Sequence, residues 1–283
     1  MAPQIIFGTA TFGMDLTDFQ GPETVKTLLA TLKTLGITRL DTAARYPPLN
    51  PGRSEQLVGE GEAIAAGFLV DTKVYTDTKA NGSGDLTQDA IERSVSASLD
   101  RIQAPGGWGV SNFPPPLLEK ILALCDENGW AKPSWYQGVY NAVTRGPETQ
   151  LLPLLRAHER TLSGGFLTGK LVNNKHADTR AGDNNPLGKM IQRAFGAEDL
   201  QAAMKRFDEA VGAEGLTSTE VAIRWVMHHS ALTEDDSVIL GASKIAQIQE
   251  TVAFIRKGEL PAKLLRLTED LWETLSESRG KIC

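Results

Sequence analysis

Short apolar runs alternate with stretches of helical periodicity along most of this chain, and no other feature restricts the fold more. Residues 5–7 read as a strand, and 23–35 as a helix with Pro22 near its start and Gly36 at its end. Residues 38–41 read as a strand, 54–66 as a helix, 68–74 as a strand and 86–102 as a long amphipathic helix. Such alternation predicts a parallel sheet joined by crossover helices. An antiparallel sandwich would carry more turn signals and few helices. The length of 283 residues with 41% hydrophobic content suffices for one sizeable core, in the range of a single α/β barrel. One domain over residues 1–283 is expected, because no repeat or linker interrupts the chain.

The alternation breaks after residue 102, where QAPGG leads directly into WGVSNF. Beyond it, helices are expected at 117–127, 151–158, 200–212, 218–228, 245–257 and 264–278, and strands at 108–111, 135–141 and 237–240. Residues 161–162 offer only a poor strand, and 172–189 are Asn-, Gly- and Asp-rich, as in a long surface loop. The net charge is −6, and no stretch clusters Lys and Arg, so a nucleic-acid or anionic-membrane partner is not expected. Two cysteines, Cys125 and Cys283, make a disulfide framework unexpected and fit a reducing compartment. With no run near ~18 apolar residues and no signal-peptide pattern, a cytoplasmic protein is expected. No metal-ligand spacing stands out.

The informative chemistry lies in DTAARYPPLNPGRSE at 41–55 and DTK at 71–73. Residues just past strand ends line the catalytic face of an α/β barrel. Taken singly, Asp41 reads as a cap, Tyr46 as a loop aromatic and Lys73 as a surface charge. Taken together at adjacent strand ends, they form a set. A nearby ammonium favours phenolate and lowers a tyrosine pKa from ~10, and an aspartate can hold that ammonium in place. Such a group can protonate a carbonyl oxygen as hydride arrives.

DTAxxY…SExxxG, TK at the end of the next strand and then GVSN resemble the aldo-keto reductase family, most closely its aflatoxin-aldehyde-reductase type. FGTATFG, LLEKILALC, YQGVYNAVTR, GGFLTGKL and VILGASK extend the likeness nearly end to end. The resemblance implies a (β/α)8 TIM barrel and NADPH-dependent reduction of small aldehydes or ketones to alcohols, in detoxification or fungal secondary metabolism. It implies that Asp41, Tyr46 and Lys73 are three of four catalytic residues. Ser111, Asn112 and Gln137 would hold the nicotinamide carboxamide of NADP, although Ser111-Asn112 also reads as a helix cap. Gly165 and Lys170 in SGGFLTGK would also contact cofactor. Gly241, Ser243, Lys244 and Gln247 would surround the 2′-phosphate, at a helix N-terminus suited to an anion. Glu250 would lie on the adenine side, followed by Thr251 where the family usually has Asn. A homodimer is the candidate assembly.

The sequence also departs from the family. Only APGG separates Gln103 from Trp108, where the family has a strand ending in the catalytic histidine and then a helix, a unit of roughly thirty residues. A second strand, between His158 and Ser163, reads as missing or vestigial. About six of the eight strands are therefore expected. None of His158, His176, His228 and His229 is expected to replace the lost histidine. A non-catalytic relative that binds nucleotide or a partner is the alternative, and a chain with no stable function is a third.

Overall fold

The computed structural model describes residues 2–75, 87–102, 109–158, 161–165 and 196–282. The chain forms two compact units. One comprises Ile5–Gly107 with Ile239–Glu250, and the other Met1–Gln4, Trp108–Val238 and Thr251–Cys283.

In the first unit, β1 (Gln4–Gly8), β2 (Arg39–Asp41) and β3 (Leu69–Asp71) run parallel, in the order β3-β2-β1, followed by the second half of β7 (Ser237–Gly241). The register sets Gly8 beside Asp41 and Asp41 beside Asp71, so the C-terminal ends of these strands align. Helix α1 (Pro22–Leu35) buries Val25, Leu28, Leu29 and Leu32, the i, i+3, i+4, i+7 stripe of an amphipathic helix. Gly36 ends it at φ 84°, its N–H reaching the carbonyls of Leu32 and Lys33. Helix α2 (Arg53–Glu60) packs on α3 (Gln88–Ile102). Gly59 makes that approach possible, because a Cβ there would stand 2.1 Å from the Arg101 carbonyl oxygen. Phe7, Phe12 and Phe19 pack ring to ring beneath the loop after β1.

In the second unit, β4 (Gly109–Ser111), β5 (Trp135–Val139), β6 (Thr161–Gly165) and the first half of β7 are parallel neighbours, in the order β4-β5-β6-β7. Helix α4 (Pro115–Asn128) buries Leu118, Leu122 and Cys125. Its other flank leaves Leu117 44% and Leu124 49% exposed, with Trp130 just beyond at 62%. The helices α5 (Pro147–Gln150) and α6 (Leu152–Ala157) follow β5. The single helix expected at 151–158 begins earlier and is split, because Pro153 has no N–H to continue the ladder. Then come α7 (Glu198–Ala213), α8 (Ser218–His228), α9 (Ile245–Arg256) and α10 (Ala262–Arg279), with α10 packed on α7.

The expected parallel α/β organisation is present, and the described residues hold seven strands, one more than expected. The addition is β6, a full strand where 161–162 offered a remnant. Ser163–Gly165 have little β-propensity, but β5 and β7 pair with β6 from both sides and override it. β3 and β4 each have one strand neighbour among the described residues, and these are the strands on either side of the 103–107 junction.

Asp236 pins the N-terminal side of β6 and β7. Its buried carboxylate accepts from Arg156, from the Leu162 amide at 2.9 Å and from the Thr233 amide at 2.8 Å. Burial pushes the Asp236 pKa up, but the Arg156 guanidinium and the two amides together outweigh it and hold the carboxyl below 3.8. A depressed carboxyl stabilises the fold above its unfolded pKa, and that contribution is lost as pH falls through the folded value. Asp236→Asn is therefore expected to lower stability at pH 7 by about 1–3 kcal/mol and to flatten the loss of melting temperature below pH ~4. Melting curves from pH 3 to 7 test this. Parallel acid limbs in the two proteins would refute it.

Candidate active site

Three-residue strands place the acid and the base of this site. Asp41 closes β2, and Lys73 lies two residues past the end of β3 rather than within the strand expected over 68–74. Backbone bonds carry the pairing past the strands: the Thr42 amide donates to Asp71 O at 2.8 Å, and the Ala44 amide to Lys73 O at 3.2 Å. Lys73 Nζ then donates to Asp41 Oδ1 at 2.5 Å and to the Thr42 carbonyl at 2.8 Å. The Asp41 side chain is 9% exposed and that of Lys73 25%, so the pair sits at the rim of the core. Tyr46 follows in the β2–α2 loop, with its ring centroid 5.3 Å from Lys73 Nζ. The structure thus brings Asp41, Tyr46 and Lys73 together.

A hydroxyl cluster fixes the floor of this loop. Ser54 is fully buried and lies 2.8 Å from the Thr9 hydroxyl and 3.1 Å from that of Thr42, and its own hydroxyl donates to the Thr9 carbonyl. The Ser54 amide donates back to the Tyr46 carbonyl. That backbone bond ties the Tyr46 segment to the cluster, and the sequence reading gave the Thr9, Thr42 and Ser54 hydroxyls no part.

The expected effect of Lys73 on Tyr46 is overridden. Burial is the largest influence and pushes the phenol up. Lys73 lowers it, but by less, and the net result lies above 10.0. Tyr46 is thus a phenol that stays protonated at neutral pH, the form a proton donor needs.

In the other unit, β4 and β5 pair Ser111 with Gln137. Asn112 follows at φ 55°, its amide donating to the Gln137 carbonyl at 2.9 Å and its Nδ2 to the Ser111 hydroxyl at 3.1 Å. These three residues sit together at adjoining strand ends. Gly165 ends β6, opposite Val139. Lys170 and His176 lie outside the described residues. His228 Nε2 is 2.9 Å from the Ile255 carbonyl, and His229 Nε2 accepts the Leu260 amide. Burial lowers the His229 pKa. Each is tied to backbone, and the unit that holds Tyr46 contains no histidine.

Gly241 ends β7, and α9 starts at Ile245. The amides of Ser243 and Lys244 converge on one acceptor, Gln247 Oε1, at 2.8 and 3.1 Å. Asp18 Oδ2 lies 3.4 Å from the Ile245 amide. Side-chain oxygens thus stand where an anion's oxygens would be received, and Lys244 is exposed beside them. This donor set fits a phosphate, on condition that the Asp18 carboxylate gives way. Glu250 is exposed on α9.

The model of the aldo/keto reductase family matches residues 4–104 and 106–273. The two stretches meet at Pro105, within the APGG junction. An aldo-keto reductase of Pseudocercospora fijiensis is 30% identical over 80% of this chain and 77% of its own length. The aflatoxin B1 aldehyde reductase member 2 of Rattus norvegicus is 28% identical over 98% of this chain and 86% of its own. The oxidoreductase sirO of Leptosphaeria maculans is 29% identical over 98% and 95%. That last alignment runs to 322 positions, longer than the 283-residue chain, so part of the relative falls opposite gaps here.

Proposed function

This chain belongs to the aldo/keto reductase family, a family of oxidoreductases, and from that premise we propose that it binds NADP(H) and is built to reduce small aldehydes or ketones. The observation that carries the reading is the Lys73–Asp41 ion pair beside the Tyr46 ring. NADPH, when bound, supplies the hydride. Tyr46 gives its phenolic proton to the carbonyl oxygen, Lys73 offsets the negative charge that develops on the tyrosine, and Asp41 keeps the ammonium at that position. Ser243 and Lys244 receive the 2′-phosphate at the start of α9, with Gly241 and Gln247 beside them and Glu250 toward the adenine. Ser111, Asn112 and Gln137 hold the carboxamide, with Gly165 and Lys170 also on the cofactor. In this reading the chain acts in the cytoplasm on a small carbonyl substrate, and a homodimer is its assembly.

A fluorescence titration with NADPH and NADH tests the cofactor. NADPH is expected to bind more tightly, and Lys244→Ala to weaken NADPH about tenfold with little effect on NADH, since one charge-assisted contact is lost. Equal affinity for the two cofactors would sink the preference. The family match that breaks at Pro105 favours a second reading, a relative that binds nucleotide without turnover. Cofactor binding with no detectable carbonyl reduction would single it out.

A further inference from the structure

A second buried acid in this unit, besides Asp41, has no part in the reaction above. Glu55 belongs to the RSE segment, and its side chain is fully buried. Its Oε1 accepts the Thr72 hydroxyl at 2.5 Å, and its Oε2 accepts Arg101 Nε at 2.7 Å. Thr72 immediately precedes Lys73. Arg101 lies in the last turn of α3, directly ahead of the junction at 103–107. Glu55 therefore joins three things: the helix after the Tyr46 loop, the segment that carries Lys73, and the end of α3.

That segment needs anchoring. Residues 72–75 lie beyond β3, and β3 has a strand neighbour on one side only among the described residues. Besides the bonds of the Lys73 side chain, 72–75 are tied by the Ala44–Lys73 backbone bond, the Thr72–Glu55 bond and the bond from the Tyr75 amide to Ser94 Oγ at 3.0 Å. Thr72 is gripped by Glu55 while the next side chain, Lys73, reaches Asp41. A buried carboxylate is costly to keep unless it is fully paired, and both oxygens of Glu55 are engaged.

We infer that Glu55 is a positioning residue for the ammonium of Lys73, acting through the Thr72 hydroxyl and held in its own place by Arg101. The inference rests on the reading of Lys73 and Tyr46 as the catalytic pair. Its test uses no turnover, so a failure of one is distinct from a failure of the other. The probe is acetylation of lysines in the folded chain by acetic anhydride, with the rate at Lys73 measured by peptide mass spectrometry against the exposed Lys120. Lys73 Nζ must leave Asp41 and the Thr42 carbonyl before it can attack. In Thr72→Val, which keeps the shape and loses the hydroxyl, the Lys73 rate relative to Lys120 is expected to rise about fivefold, the equilibrium effect of one hydrogen bond. Glu55→Gln is expected to raise it at least as far, and Thr72→Ser to restore the original ratio. In a reduction assay, Thr72→Val is expected to lower kcat and leave KM for NADPH unchanged. A Lys73 ratio unmoved by Thr72→Val, in a protein whose melting curve shows it folded, overturns the inference and leaves Glu55 a purely structural tie. Should the original chain reduce no carbonyl at all, the proposed function fails on that result, and the acetylation ratio still decides the role of Glu55.

Discussion

Steady-state oxidation of NADPH by this chain, with a reactive dicarbonyl or quinone as acceptor, is expected to run at ~10⁻³–10⁻¹ per second. Ordinary enzymes centre near ~10 per second. A missing positioned donor removes a factor of ~10²–10⁴. The donor concerned is the histidine that the family resemblance places on a strand, where the sequence here has only QAPGG at 103–107. No histidine belongs to the unit holding Tyr46, and His228 and His229 are committed to backbone groups elsewhere. Tyr46, Lys73 and Asp41 remain, so slow turnover of activated carbonyls should survive, and Tyr46→Phe should abolish it. The pH profile carries a second signature. Since burial holds the Tyr46 phenol above 10.0, the donor form persists, and no basic limb assignable to Tyr46 should appear below pH 9. A rate of ~1–10³ per second would show that the absent unit is dispensable.

Arg145→Ala is expected to destabilise the chain by about 2–4 kcal/mol, somewhat less than the loss of a fully buried pair because Glu269 is 43% exposed. The Arg145 side chain is 7% exposed, and its guanidinium lies 4.2 Å from the centroid of Trp225 and 5.5 Å from that of Trp272. It donates to Glu269 Oε2 at 2.7 Å and to the Ala142 carbonyl at 3.1 Å. Truncation removes the cation between two indoles and leaves Glu269, which Trp225 Nε1 also approaches at 3.3 Å, without its main partner. Arg145→Lys should recover only part of the loss, because an ammonium neither stacks flat nor forks between two acceptors. Urea denaturation followed by circular dichroism gives both values. A loss under ~1 kcal/mol for the alanine variant would mean that the indoles close over the gap unaided, as small surface effects do.

The strand–helix alternation was legible because its two periodicities are local. The α1 stripe of Val25, Leu28, Leu29 and Leu32 can be read from the fourteen residues of the helix, and its stop from Gly36 directly after them. The β6 strand was not legible, since Ser163–Gly165 owe their extended form to partners far away in sequence. The meeting of Asp41, Tyr46 and Lys73 followed from order along the chain. The state of the phenol did not, because the balance between burial and a neighbouring ammonium depends on packing that a linear string does not display. Glu55 stood inside a quoted motif, yet its partner Arg101 is 46 residues away. Arg145 was equally visible in YQGVYNAVTR, and equally mute without Trp225 and Trp272 around it.

The bare flank of α4 carries a consequence for temperature. Leu117, Leu124 and Trp130 face solvent there. Water's aversion to such a surface is almost wholly entropic near room temperature and fades on cooling. The grip of that flank on any other apolar surface therefore slackens in the cold and tightens with warmth. Excluded salts such as sulfate tighten it as well. The chain's tendency to cling should thus climb with temperature while every buried side chain is still in place, well before the fold itself begins to give.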